Sequence, residues 1–312
     1  MSDNNTAEST NIEHDRLFKE LFRVFFLEFA EIFFPKLFKI MDKTQIRFLV
    51  QETFHDLTRG EKNIADIVVE TKLAGMEGFV LVHVEHQAQR QEDFNQRMFR
   101  YFFRLYDRHN KIIIPIAVFS HDSKIKEPDK FVLQSPVSKI VEFSYDVLQL
   151  KTKNWRSYIK SDNPAAAALM TRMNYSPKEA IKVKVAIARM IARMQLDQAK
   201  AALITVFSDT YIPLDEKKRE EFDRMLYKEM NEVEVERYMQ YTTYYHKQGK
   251  AEGKAEMVAN SFKKKFGTEP EDLRRNLIKL SPEVLDELIY VLFSTQDTKH
   301  FLQMVENELP KN

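Results

Sequence analysis

Cysteine is absent from the chain. That excludes disulfides, thiolate zinc sites and a cysteine nucleophile. It fits a reducing compartment, and a cytoplasmic location is the expectation. Glycine is scarce, with six in 312 residues, and neither G-x-x-x-x-G-K-[ST] nor G-x-G-x-x-G occurs. A glycine-rich phosphate loop is therefore unavailable. Long apolar runs are also missing. The most apolar segment, Val24 to Phe34, is interrupted by Glu28 and Glu31, well short of the ~20 residues a membrane span needs. Met1 to Ser9 is polar and carries no apolar signal core. Excess charge of either sign is lacking too: 48 basic and 47 acidic residues leave a net charge of +1. Any nucleic-acid site must come from local clustering rather than the overall balance. No nucleophile elbow with a Ser-His-Asp order is present, which argues against a serine hydrolase.

What is present suits a protein of two domains with an ample core: 44% of the residues are hydrophobic. Residues 1–12 are polar and read as a disordered tail. From Asp15, Leu17, Phe18, Leu21, Phe22 and Phe25 recur at helical spacing, and the pattern stops near Pro35. Asp15, Lys19 and Glu20 are its polar points. Residues 46–54 read as a strand, with Ile46, Phe48, Val50 and Glu52 on one face. Residues 64–87 read as a β-hairpin around Gly75 and Gly78. A helix follows from about Asp93 to His109, then a buried strand over 112–119 in which Pro115 lacks a ladder donor. Helix, strand, hairpin, helix and strand in that order predict an α/β core with a mixed sheet. From Trp155 onward nearly everything reads as helix. The expected organisation is a core over 13–150, a helical region over 151–260 and a small helical domain over 261–312. In the last, Phe266-Gly267 closes one helix, Pro270 opens the next, and Ser281-Pro282 supplies an N-cap and an N1 proline.

The hairpin carries the chemistry. Asp66 and Glu85 have numbers that sum to 151, so a turn centred between Gly75 and Met76 sets them opposite each other, with Cβ atoms ~4.5–5.5 Å apart. Gln87 shares the face of Glu85. Facing acids repel unless a positive charge lies between them, and a divalent cation such as Mg²⁺ suits carboxylate oxygens. Glu52, Asp66 and Glu85 are then candidate metal ligands, with the backbone carbonyl of His86 as a further oxygen donor. Gln87 is a candidate for orienting the attacking water or binding a phosphate. Alternatively, these acids are ordinary strand-end residues paired with Arg47, Lys62 or nearby arginines. On the following helix Arg97, Arg100, Arg104 and Arg108 recur every three or four residues. They form either a phosphate-binding stripe or a solvated face.

H-D-R-L-F-K-E-L-F (14–22), F-F-P (33–35), Q-E-T-F (51–54), A-D-I-V-V-E (65–70), L-V-H-V-E-H-Q (81–87) and D-F-N-Q-R-M-F-R-Y (93–101) together resemble the Rpn, or YhgA-like, putative transposase nucleases. These are bacterial members of the PD-(D/E)XK superfamily, described as recombination-promoting nucleases, and the likeness spans roughly residues 10–120. The C-terminal K-F-G-T-E-P-E-D-L-R-R-N-L-I-K-L-S-P-E-V-L-D-E-L resembles a helical domain of unknown function often appended to the family. The resemblance implies a restriction-endonuclease-like core and Mg²⁺-dependent (Mn²⁺ also serving) cleavage of double-stranded DNA, promoting recombination or transposition. It assigns Asp66 as central metal ligand and Glu85 as second. Glu52 matches an upstream acid, and Gln87 falls where the superfamily usually has the lysine of E-x-K. DNA contacts from Arg97, Arg100 and Arg104, a homodimer able to cut both strands and no membrane partner complete the expectation. The competing expectation is an inactive nuclease-fold module that binds DNA or serves assembly.

Overall fold

The computed structural model of the chain describes residues 3–49, 53–55, 62–64, 67–76, 78–295 and 297–309. The chain forms two compact units, Met1–Val235 and Glu236–Asn312. The helices that follow residue 151 are thus divided between the two units.

The first unit is α/β. It opens with helix α1 (Asp3–Val24), α2 (Phe26–Phe33) and α3 (Pro35–Ile40). Helix α1 begins at Asp3, where composition suggests a disordered tail over 1–12. Those residues lack an apolar stripe, but extending a helix that is already nucleated downstream is far easier than starting one. A five-stranded sheet follows, ordered β1-β4-β5-β6-β9, from β1 (Arg47–Phe48), β4 (Ile67–Thr71), β5 (Val80–Gln87), β6 (Ile113–Phe119) and β9 (Asp146–Gln149). β1 pairs antiparallel with β4 and β4 with β5, whereas β5, β6 and β9 run parallel. The mixed sheet anticipated from the order of elements is present.

The expected strand over 46–54 is not one element. β1 ends at Phe48, and β2 (Thr53–His55) pairs with β3 (Lys62–Ile64) in a separate two-stranded sheet. The hairpin fares better. Every described pair of β4 with β5 keeps a number sum of 151, from Thr71 opposite Val80 to Ile67 opposite Val84. Gly75 and Gly78 take φ of 81° and 79° in the connection, conformations that favour a residue without Cβ. Pro115 causes no break in the ladder. Leu81 N–H bonds to Ile112 and Ser120 N–H to the Gln87 carbonyl, so odd-numbered residues of β5 bond to even-numbered residues of β6. Pro115 turns its missing donor to the other edge, where β9 pairs only from Ile116 onward.

Side-chain alternation gives β5 two different neighbours. Leu81 packs with Tyr101 and Leu105 of α4 (Phe94–His109). His86, on the opposite face, stacks on Phe18 of α1, ring centroids 3.6 Å apart. The sheet thus lies between α4 and α1. Phe94, Met98, Tyr101 and Leu105 line the buried stripe of α4, and Asn110 closes the helix in the left-handed region. Strands β7 (Lys130–Gln134) and β8 (Lys139–Ser144) form a hairpin whose Phe131 and Phe143 cover Phe99 and Phe102 on the outer side of α4.

Behind α1 and α2 lies a helical layer of α5 (Pro164–Leu169), α6 (Ala180–Met194), α7 (Gln198–Tyr211) and α8 (Glu216–Glu229). Four consecutive alanines, Ala165 to Ala168, are fully buried, so α5 packs closely on α2, α6 and α7. Asn163 caps it by accepting from Ala166 N–H at 2.9 Å and donates to the Glu28 carbonyl at 2.9 Å. Arg172 ties this layer to the sheet, giving two hydrogen bonds of 2.9 and 2.7 Å to the Ser120 carbonyl. Lys184 is fully buried and donates to the carbonyls of Ser208 and Ile212 and to Asp209, which satisfies the end of α7.

The second unit is helical. The C-terminal part of α9 (Glu232–Phe266), α10 (Leu273–Leu277), α11 (Pro282–Ser294) and α12 (Thr298–Asn307) bury Phe262, Leu273, Leu277, Leu285, Leu288 and Phe301 together. Gly267, at φ 82°, ends α9, and Ser281 accepts from Val284 N–H at the start of α11, both where the sequence signals them. Among the described residues no helix is long and apolar enough to cross a membrane.

Candidate functional site

Glu85 is the centre of the arrangement. It lies near the carboxyl end of the central strand, and its side chain is 6% exposed. Such burial disfavours a carboxylate unless partners offset the lost hydration. Two partners are present on the α4 face. His83, one turn of the pleat earlier, brings Nε2 to 3.3 Å from Oε2 and packs edge-on against Tyr101. Arg97, on the first turns of α4, brings Nη2 to 3.9 Å from Oε1. The same guanidinium donates to Oε1 of Gln87 and of Gln91. Glu85 and Gln87 share a face, as period two requires, and one arginine joins them.

The Gln87 carbonyl oxygen faces Arg97, and its amide nitrogen bonds to no described residue. Gln87 also lines a cleft of about 230 Å³ together with Asp15, His86, Ala88, Gln89 and Gln91. Asp15 comes from α1, where it accepts from Lys19 at 2.7 Å. In the sequence, Asp15 and Lys19 are only polar points of an apolar helix. Their place beside the strand end depends on packing of α1 on the sheet, which no local pattern reveals.

His86 is the counterpart on the other face. Its Nε2 bonds to Ser120 Oγ at 2.8 Å, and its ring lies flat on Phe18. Burial, reinforced by the charges of Arg172 and Lys19, pushes its pKa down to about 3, so the ring is neutral. The imidazole is thereby turned away from Glu85. Its carbonyl is different: odd-numbered carbonyls of β5 point to β6, so that of His86 points to the β4 edge.

Asp66 and Glu52 lie outside the described residues. Among the described residues no group of three His, Cys, Asp or Glu side chains is placed to hold a metal ion. Arg97 is engaged with Glu85 and Gln87 rather than displayed on an open face. Arg100 and Arg104 are half-buried on the same helix, and no ion pair of Arg100 is seen among the described residues. Glu70, another acid of the α4 face, is held by Lys111 and by Arg47, the latter at 3.8 Å. It belongs to the opposite end of the sheet from Gln87.

No curated protein matches the chain, and no solved structure does. A family model described as "Putative transposase, YhgA-like" matches residues 12–204, from α1 through the sheet and into α7. The match runs well past residue 120, and this agrees with the packing of α5 and α7 on the first helices. Covering more than half of the chain, it shows that the protein belongs to the YhgA-like putative transposase family.

Proposed function

We propose that the protein is a Mg²⁺-dependent endonuclease that hydrolyses phosphodiester bonds in double-stranded DNA, with Asp66, Glu85 and Gln87 as its catalytic residues. The observation that carries this is Glu85, a buried carboxylate at the end of a central strand whose pairing with β4 keeps one register throughout. Carried one residue further, that register would set Asp66 opposite Glu85. The donors available are oxygens: the two carboxylates, the His86 carbonyl and, upstream, Glu52. Such a set suits a hard divalent cation, whereas both imidazoles of β5 have other partners. Bound there, the ion would polarise a phosphoryl oxygen and lower the pKa of a coordinated water.

The protein's own groups have separable tasks. Glu85 supplies negative charge, held in orientation by His83. Gln87, its side-chain carbonyl held by Arg97, lines the cleft, and its amide N–H groups would be the donors it offers to a phosphate oxygen. Arg97 offsets charge on the acid before DNA arrives and lies close enough to stabilise charge on the phosphate afterwards. Arg100 and Arg104 extend the positive face along α4. Two copies would be needed to cut both strands together.

A second reading follows from Arg97 and Gln87. A guanidinium near Glu85 partly neutralises the acid without any metal, and glutamine lacks the charge of the superfamily's lysine. Both favour a module that binds DNA without cutting it. Asp66→Ala separates the readings. With Mg²⁺ or Mn²⁺ and supercoiled plasmid, the wild type should nick and the variant should not, while both bind DNA alike. Binding without nicking by the wild type under either metal selects the inactive module.

A further inference from the structure

Beyond the Glu85 cluster, one side chain after β5 is anchored in a way that stability does not demand. Arg90 follows Gln87 by three residues, and its side chain is 54% exposed. Its Nε lies 3.3 Å from Oε1 of Glu127, whose side chain is only 4% exposed. Glu127 belongs to the loop between β6 and β7, and that loop is pinned. Gln149, the last residue of β9, donates to the carbonyls of Ser123 and Ile125 at 2.9 and 2.8 Å and accepts from Glu127 N–H at 3.4 Å. Tyr145 Oη donates to the Pro128 carbonyl at 2.8 Å.

His121 also faces Glu127, with Nε2 3.3 Å from the same Oε1. It does not supply charge. Burial holds its pKa below the ordinary histidine value, and its Nδ1 accepts from Ser123 N–H. Neither His121 Nε2 nor Glu127 Oε1 finds a well-formed hydrogen bond among the described residues. Arg90 is therefore the cation that the buried carboxylate faces. Burying a carboxylate for one half-exposed arginine is a poor route to stability. It does tether the guanidinium to a loop that is itself fixed. Nε takes up the ion pair, and the two Nη groups bond to no described residue.

We infer that Arg90 is a pre-set clamp for a backbone phosphate of bound DNA, with Glu127 and His121 as its positioning residues. A guanidinium presents a planar fork that matches two phosphate oxygens. Anchoring it before binding removes the cost of ordering a flexible side chain. Its location fits, since the carboxyl ends of β5, β6 and β9 gather there and ligands of open α/β sheets bind at that edge. The clamp rests on the proposal that this chain binds DNA, but not on cleavage.

The test measures binding of a fluorescent duplex by anisotropy, without divalent metal, over a range of salt. Arg90→Ala should weaken binding about tenfold and lower the slope of log K against log[salt] by about one. Arg90→Lys should keep the slope and recover part of the affinity. The pair Arg90→Ala/Glu127→Gln removes the buried charge as well, so a loss equal to that of Arg90→Ala locates the effect in the clamp. An unchanged slope in Arg90→Ala, wild-type affinity in the double variant, or no measurable DNA affinity in the wild type overturns the proposal. A wild type that binds but never nicks, with the slope still falling in Arg90→Ala, leaves the clamp standing and removes the nuclease.

Discussion

His83 and His86 stand three residues apart on opposite faces of β5, and their surroundings differ in kind. On the α4 face His83 meets a carboxylate, and that carboxylate meets an arginine shared with Gln87. On the α1 face His86 meets a phenyl ring and a serine hydroxyl. One strand therefore places an ion-paired carboxylate on one side and a stacked, neutral imidazole on the other. The alternation of a β-strand is enough to do this, because neighbouring side chains point to opposite faces. A chemical site and its support can then lie back to back.

Three changes would break or sharpen the contrast. Glu85→Gln on the charged face should lower plasmid nicking at least about a thousandfold, equivalent to roughly 4 kcal/mol of barrier. Its thermal midpoint should stay close to wild type, because glutamine keeps hydrogen-bonding groups toward His83. Persistent nicking would move the chemistry away from the α4 face. Phe18→Ala on the α1 face should cost about 3–5 kcal/mol in denaturant unfolding of the first unit, since a fully buried ring is lost. A cost below about 1 kcal/mol would mean that α1 does not depend on this contact.

The third change is in pH. His86 has a folded pKa of about 3, against about 6.5 in the unfolded chain. Between these values the unfolded state binds the extra proton. The stabilisation from neutral His86 is complete above about pH 6.5 and falls by roughly 1.4 kcal/mol per pH unit below it. His86→Phe should flatten calorimetric stability between about pH 3 and 6.5. If the slope in that window is unchanged, other groups carry it.

The sequence showed the hairpin well because its information is local. Two β-rich runs around Gly75 and Gly78 fix a register by simple counting, and the described pairs keep it. The pairing of Glu85 with Gln87 on one face follows from the same period. The caps at Ser281 and Gly267 were legible for a like reason, since each depends on one or two residues. Arg97 was legible only as part of a stripe, because its contact with Gln87 requires the angle at which α4 crosses the sheet. Strand β9 is not legible in the sequence, since four residues carry little pattern. Asp15 beside Gln87, and Glu127 beside Arg90, join residues far apart in the chain. Only the fold brings such residues together.

The hydrogen bond from Asn163 to Glu28 spans 135 residues. During synthesis at roughly 5–20 residues per second, the partner of α2 emerges on the order of ten seconds after α2 itself. For that interval the face of α2 that packs against α5 has no partner. The nascent chain thus carries an uncovered helix face through most of the synthesis of its first unit.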